Sequence, residues 1–319
     1  MTRSLPRLAS ALFLCLACSP ARAPSTPASL SGDEPRDVPE EVHEPVPDDV
    51  VARAEGPVRV IRLSDGVELS SNAVARELLQ YDAVCAGEEH TSAPQHYAEL
   101  WLLDRLGTQA PYLGLELGAG FEMWQTKDQG LVDAFADGTI SEKRLLKRTD
   151  YKNTWGYDFA YYRPILLRAR ELSLPVIALN ASKTTTAKIR KGGLAALGEW
   201  KTSQLPELDL SDREHRADFE RRMKKHPGVE AENLDNYYAA QVVWDETMAN
   251  TSVRWLNRHT PVRRIFIVAG QAHCQRSAIP KRVVRRGVPK AAALLLTTKR
   301  PSAEASKQYD YAVVVEASE

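Results

Sequence analysis

The chain has 319 residues, of which 42 are Lys or Arg and 42 are Asp or Glu, so its formal net charge at pH 7 is zero. With 43% hydrophobic and 26% charged residues, the composition is that of a globular protein with one large or two modest domains. This even balance of charge gives no strongly basic surface, and we therefore expect no nucleic-acid partner.

The first residues predict an export signal. Two arginines precede an apolar run over residues 8–17, which is too short to span a bilayer and has the length of a signal-peptide core. Residues 15–18, Cys-Leu-Ala-Cys, are similar to a bacterial lipobox that ends at the lipidated Cys18, although Cys15 stands where Leu is usual. The mature protein would then be a membrane-anchored lipoprotein of the bacterial cell envelope. The alternative is ordinary signal-peptide cleavage after Ala23, which predicts a secreted or periplasmic protein.

Behind the signal segment 1–18, two regions of different composition follow. Residues 19–56 are rich in Pro, Asp, Glu, Ser and Ala, and such a segment buries too little apolar surface to order itself, so we expect a disordered acidic tether. Residues 57–319 are predicted to form a single α/β domain. Its strands are expected, in chain order, at about 58–63, 66–69, 82–86, 113–117, 175–180, 264–269, 292–296 and 311–315. Helical patterns separate most of them, among them 121–135 and 234–257, and this alternation indicates a mainly parallel central sheet flanked by helices on both faces.

Two of the predicted strands end in the same motif. The third strand is followed by Gly87-Glu-Glu-His90 and the sixth by Gly270-Gln-Ala-His273. In open α/β sheets, residues beyond the carboxyl ends of the strands form the binding crevice. We therefore expect His90 and His273 to converge on one site, with Glu116 at the end of the fourth strand beside them.

These residue types suit two related chemistries. Glu88 or Glu116 can orient a histidine ring or raise its strength as a base. Together with His90 and His273, the two carboxylates also make a sufficient ligand set for a divalent metal such as zinc. Both chemistries predict a hydrolase, a peptidase or an esterase, with these four residues as its catalytic groups. A catalytically inactive protein with a binding crevice fits the same pattern.

Other residues leave alternatives open. The aromatic segment 155–164 is either the apolar start of a helix or a platform for a flat ligand, with a phenolate available to the iron of haem. Cys85 and Cys274 each lie close to a Gly-x-x-His motif. In an oxidising compartment they could form a disulfide, whereas Cys85 alone is also typical of a small buried apolar residue. His215 has polar neighbours and is predicted to lie on the surface.

Six motifs, in order, are similar to those of one family. They are Gly87-Glu-Glu-His90, Leu115-Glu-Leu117, Trp155 to Leu166, Pro175 to Asn180, Ala240 to Ala249, and Ile267 to Pro280. With them the chain resembles the ChaN-like haem-binding uptake proteins over about residues 60–300. That family belongs to the Tiki/TraB group, which includes proposed metal-dependent proteases and erythromycin-esterase-like hydrolases. Thr91 departs from the pattern, since the family often has Asp there.

The resemblance implies a function and a set of contacts. It implies an exported haem-binding lipoprotein of haem or iron uptake, whose partners are haem or another small ligand, the membrane and a second subunit in a homodimer. A tyrosine is the implied haem ligand. The candidates are Tyr162 first and Tyr157 second, with Trp155 beside them. A metal-dependent hydrolase using the paired Gly-x-x-His site is the alternative.

Overall fold

The structure, a computed structural model, describes residues 47, 49–224, 233–257 and 262–316. The predicted signal segment, Cys18 and residues 19–46 and 48 of the tether lie outside this part of the chain. The expected tether does include one described helix, Val50–Arg53, whose Val51 is fully buried.

Strands of the described residues form one eight-stranded sheet. They are β1 (Val58–Arg62), β2 (Glu68–Leu69), β3 (Ala83–Glu88), β4 (Leu115–Gln125), β5 (Val176–Asn180), β6 (Val262–Gly270), β7 (Ala291–Thr297) and β8 (Tyr311–Val315). Their order across the sheet is β2-β1-β8-β7-β3-β6-β4-β5. From β8 to β5 all neighbours are parallel, and β1 pairs antiparallel with β2 and β8. The predicted mainly parallel sheet is confirmed.

Helices connect the strands and cover both faces of the sheet. The α-helices are α1 (Val50–Arg53), α2 (Ser71–Leu78), α3 (Ala93–Gln109), α4 (Gln129–Ala136), α5 (Glu142–Arg148), α6 (Tyr151–Thr154), α7 (Arg163–Glu171), α8 (Lys183–Gly192), α9 (Glu199–Thr202), α10 (Arg213–Met223), α11 (Leu234–Leu256), α12 (Gln271–Cys274), α13 (Ile279–Arg285) and α14 (Ala305–Gln308). Short 3₁₀ turns lie at Ala110–Leu113, Thr126–Asp128, Phe159–Tyr161 and Leu194–Leu197. No helix in the described ranges is both long and apolar enough to cross a bilayer.

Two apolar layers enclose the sheet because successive side chains of a strand point to opposite faces. In β3, Val84 and Ala86 join the larger layer with the buried leucines of α3. Ala83 and Cys85 join the opposite layer, with Met248 of α11 among their neighbours. Strands buried on both faces need continuous apolar runs, which is why β3 and β6 stood out in the sequence.

The boundaries of β4 differ from the prediction. The strand was expected to end at 117 and a helix to begin at 121, but β4 continues to Gln125. Gly118 and Gly120 lie between the two predicted elements, and glycine is frequent in turns. In the structure, a Cβ on Gly118 would lie 2.7 Å from Ile177 Cδ1, and one on Gly120 would lie 2.8 Å from Leu179 Cδ1. These glycines make room for β5 side chains within a continuous strand.

A disulfide joins Cys85 of β3 to Cys274 at the end of α12, across 189 positions of sequence. Both cysteines are fully buried, with exposed fractions of 1% and 0%. The bridge that the sequence left open is therefore present, and it ties the residue after His273 to the strand that leads to His90.

Candidate functional site

Three neighbouring strands deliver the candidate site at their carboxyl ends. β6 lies between β3 and β4, and Glu88 of β3 is level with Gly270 of β6. On the other side of β6, Phe121 pairs with Val268, so that Glu122 lies one residue further toward the same edge. The parallel register therefore gathers Glu88, Glu122 and the loop after Gly270 at one place.

His90 is held by the carboxylate two residues before it. Its Nδ1 lies 2.5 Å from Glu88 Oε1, and the Tyr162 hydroxyl lies 3.4 Å from the same carboxylate oxygen. Because Nδ1 donates to Glu88, the Nε2 atom of a neutral His90 is left as an acceptor. The other oxygen, Glu88 Oε2, has no hydrogen-bond partner in the described part of the chain. The pair is thus oriented and retains acceptor capacity for a bound molecule.

A second buried pair supports the loop that carries His90. His96 Nε2 lies 3.1 Å from the backbone carbonyl of His90, and its Nδ1 lies 2.9 Å from Glu99 Oε2. Both side chains are fully buried. Burial raises the pKa of Glu99 to about 7, and Glu99 in turn raises the pKa of His96 against the opposing effect of burial.

His273 lies between two carboxylates. Its Nδ1 is 2.5 Å from Asp245 Oδ1, and its Nε2 is 3.2 Å from Glu122 Oε1. The other oxygen of Glu122 accepts a hydrogen bond from the Gly270 amide at 2.8 Å. A carboxylate oxygen beside each ring nitrogen is the arrangement that favours an imidazolium ion.

Electrostatics favour the charged form of both histidines. Burial disfavours a charged His273, but Glu122 and Asp245 outweigh it and raise its pKa to about 10. For His90, burial is likewise opposed by Glu88 and Glu122, and the net effect raises its pKa above 6.5. The pKa of Glu122 is lowered, since the histidine charges exceed the effect of its own burial.

Aromatic rings from the segment after α6 cover His90. The ring centroids of Tyr157 and Trp155 lie 4.4 Å and 4.8 Å from that of His90. Both rings are partly exposed, whereas Tyr162 is only 1% exposed and belongs to the core. The later rings of the segment therefore form core, as the first alternative predicted, and its first two rings form a partly exposed layer on the site.

Glu116 does not lie at this edge, contrary to expectation. It pairs with Arg263 in the sheet register and accepts a hydrogen bond from the Arg263 Nε at 2.6 Å. Arg263 precedes Gly270 by seven positions, which is about 23 Å along a strand at about 3.3 Å per residue. The expectation failed because β4 extends beyond Leu117, and Glu122 takes the place assigned to Glu116.

Glu122, Asp245 and His215 are site residues that the sequence interpretation missed. Asp245 follows Gln241 by four positions, so the two share one face of α11, and this spacing was a usable signal. His215 is fully buried rather than on the surface, and its Nε2 lies 2.8 Å from Asp245 Oδ2. Its polar sequence neighbours gave no sign of burial because they face away on α10.

The expected metal ligand set is not assembled. Within the described ranges, no group of three or more His, Cys, Asp or Glu side chains is placed to hold a metal ion. Glu116 is remote, and the Nδ1 atoms of His90 and His273 are each taken by a carboxylate.

Comparison with known proteins places the chain in a family. Residues 74–283 match the family described as haem-binding uptake, Tiki superfamily, ChaN. The chain belongs to this family. The resemblance predicted from the six motifs is confirmed.

A solved structure agrees with the fold of this ChaN-family protein, and a second one is reported as a weaker similarity. ChaN of Campylobacter jejuni, described with cofacial haem binding, has a TM-score of 0.60 at 16% identity, covering 82% of this chain and 97% of that one. A mutant of the erythromycin esterase EreC in its open conformation has a TM-score of 0.43 at 14% identity, covering 82% and 83% of the two chains. No curated protein sequence gives a significant match.

The pKa of His273 provides a direct test of the site's electrostatics. In this ChaN-family protein, Asp245→Asn is expected to lower the pKa of His273 from about 10 toward the ordinary 6.5, because one of the two flanking negative charges is lost. NMR titration of the ring would measure the change.

The same pKa also predicts how stability depends on pH. Since the folded-state pKa of His273 exceeds its unfolded value, the charge of His273 stabilises the protein fully below pH 6.5, and this stabilisation is lost as the pH rises through about 10.

Glu116→Gln is the matched control, since it removes a carboxylate that pairs with Arg263 away from the site. It should leave the titration of His273 unchanged. A wild-type His273 that titrates near 6.5 would contradict the assignment of an imidazolium ion.

Proposed function

We propose that this protein binds haem at the carboxyl edge of its sheet, in contact with Trp155 and Tyr157. The family match over residues 74–283 carries this proposal. The geometry supports it, since a partly exposed indole and phenol lie side by side there, with ring centroids 5.5 Å apart. Apolar rings next to a phenol suit the flat face of haem, and haem supplies a ferric iron that accepts a phenolate ligand.

Of the two candidate tyrosines, Tyr157 fits a haem ligand better than Tyr162. Tyr162 is fully buried behind Trp155, and its hydroxyl faces Glu88. Burial, together with the charge of Glu88, raises its pKa well above 10, so the phenolate form that iron needs is strongly disfavoured. Tyr157 is partly exposed and packs on His90 at the outer side of the same layer.

Hemin titration of the full-length protein tests this proposal. Tyr157→Phe should remove the phenolate-to-iron absorption band and weaken binding by at least about tenfold, which corresponds to about 1.4 kcal/mol. Tyr162→Phe should retain both the band and the affinity.

Tyr151→Phe serves as the control, because Tyr151 is buried and its hydroxyl has no hydrogen-bond partner among the described residues. An unchanged spectrum in Tyr157→Phe would exclude Tyr157 as the ligand. Hemin uptake without saturation in the wild type would argue against a haem site altogether.

We also propose that the protein is exported and anchored through Cys18, in a role in haem or iron uptake. The signal-like first segment and the lipobox-like residues before Cys18 support export. The buried Cys85–Cys274 disulfide supports it as well, because such bonds persist in oxidising compartments outside the cytoplasm.

Metabolic labelling with a fatty acid in a bacterial host checks the anchor. The wild type should incorporate the label and fractionate with membranes, and Cys18→Ser should do neither. The nearby Cys15→Ser variant is the control and should still be labelled. Release of an unlabelled wild-type protein would instead favour cleavage after Ala23.

A second candidate function, hydrolysis, is favoured by one specific observation. Two histidines, His90 and His273, lie close to the same carboxylate, Glu122. His273 is held as a cation that can stabilise negative charge or donate a proton from Nε2, and His90 presents an acceptor Nε2 when neutral. Their proximity is shown by Gly270, since a Cβ there would lie 3.2 Å from His90 Nε2 and 3.7 Å from Glu122 Oε2. An acid and a base in one crevice are the elements of ester or peptide hydrolysis.

Turnover of a panel of nitrophenyl esters and peptides tests this candidate. His90→Ala should lower kcat by about 100-fold or more, the usual contribution of a positioned base. Gly270→Ala should also lower it, because the added Cβ would lie 2.9 Å from His90 Cε1 and displace the ring.

Gly130→Ala is the matched control, since a Cβ on this helical glycine meets no atom within 4 Å. Its activity should equal that of the wild type. Turnover that survives His90→Ala, or no turnover of any substrate by the wild type, would remove the hydrolase candidate.

A further inference from the structure

A buried chain of hydrogen bonds extends behind the site. It connects His215 of α10 through Asp245 of α11 to His273 of α12. His215 Nε2 lies 2.8 Å from Asp245 Oδ2, and Asp245 Oδ1 lies 2.5 Å from His273 Nδ1. His215 and Asp245 have no exposed surface, so His215 cannot contact a ligand in the crevice and can act only through its neighbours.

Arg282 fixes which nitrogen of His215 carries the proton. Its Nη2 lies 3.1 Å from His215 Nδ1. A guanidinium group only donates hydrogen bonds, so His215 Nδ1 must accept and Nε2 must carry the hydrogen. Arg282 is itself only 2% exposed and is fixed by the carbonyl of Ser277 at 2.7 Å and by an ion pair with Glu246 at 3.2 Å. The direction of the hydrogen bond from His215 to Asp245 is therefore set by the protein.

Both oxygens of Asp245 are consequently occupied by fixed donors. With Oδ2 held by His215, the carboxylate cannot rotate without breaking a buried hydrogen bond, and Oδ1 remains directed at His273. The Gln241 Nε2 atom lies 3.4 Å from Oδ2 and 3.1 Å from His273 Nδ1, so it contacts both partners of this hydrogen bond, but the 2.5 Å distance makes Asp245 the nearer partner of Nδ1. A ring whose Nδ1 is bound in this way keeps its Nε2 toward Glu122 and the crevice.

We propose that His215 is a positioning residue that orients His273 at the site through Asp245. A flipped His273 ring would place a carbon atom toward Glu122 and remove the donor from the crevice. This role goes beyond haem binding. Its chemical consequence, a hydrogen-bond donor that His273 presents to the crevice, rests on the second candidate function, hydrolysis. The orientation itself can be measured without hemin or substrate, so that failure of this proposal and failure of either function are distinguishable.

The test is NMR of ring N–H groups in the hemin-free, full-length protein, with the His273 Nδ1–H signal assigned by its loss in His273→Gln. A short hydrogen bond to a buried carboxylate should give a sharp signal at low field in the wild type. His215→Leu, which is similar in size but has no donor, should broaden or abolish it. His215→Gln, whose amide can both donate to Asp245 and accept from Arg282, should restore it.

Val242→Ala controls for a general loss of packing, because Val242 is fully buried beside Tyr238 on α11 and shares no hydrogen bond with Asp245. It should lower the melting temperature and keep the low-field signal. A normal signal in His215→Leu, or an equal loss in Val242→Ala, would overturn the positioning role and leave His215 as a packing residue. Failure of His215→Gln to restore the signal would also overturn it.

Discussion

The carboxyl edge of this sheet is organised around one buried cation, His273, between the carboxylates of Glu122 and Asp245. Removing an ion from water costs several kcal/mol, and a buried charge is tolerated only where partners and hydrogen bonds compensate it. Each partner imposes a condition on the fold. β4 must extend far enough to present Glu122, and α11 must direct Asp245 toward the turn that follows β6. Because β6 lies between β3 and β4, Glu122 of β4 lies next to His273 and also near His90, which follows β3.

The repeated Gly-x-x-His motif has a steric explanation as well as a chemical one. A Cβ on Gly87 would lie 3.1 Å from Cys274 Cβ, and one on Gly270 would lie 2.9 Å from His90 Cε1. Each glycine thus leaves room for the residues that follow the other one. The Cys85–Cys274 bridge crosses between the same two segments and limits their separation. The two motifs are parts of one packed unit, in which a side chain at either glycine would displace a histidine or strain the bridge region.

Features that depend on local patterns could be predicted from the sequence, and those that depend on distant partners could not. Buried parallel strands have apolar runs, so β3 and β6 and the convergence of His90 with His273 were predictable. Glu116 was misplaced because β4 continues through Gly118 and Gly120. These glycines leave room for side chains that include Ile177 and Leu179, from a strand about sixty residues later, and no local pattern shows that packing. His215 was assigned to the surface because its neighbours are polar. Its burial depends on Asp245 and Arg282, and no local pattern links these residues to it.

The two proposed functions use the same ring and therefore constrain each other. Trp155 and Tyr157 pack directly on His90, so a flat ligand held by these aromatics would lie over the histidine that hydrolysis needs as its base. The layer also keeps bulk water from one side of His90, which strengthens its interaction with Glu88. In a haem-binding protein, the buried charges beneath this layer would hold the loop of His90 and the turn of His273 rigid under the ligand. In a hydrolase, the same layer would have to open or leave a path beside Glu88 Oε2, a buried oxygen that has no hydrogen-bond partner among the described residues. The side chain of His90 is 24% exposed, so its ring is not sealed from solvent.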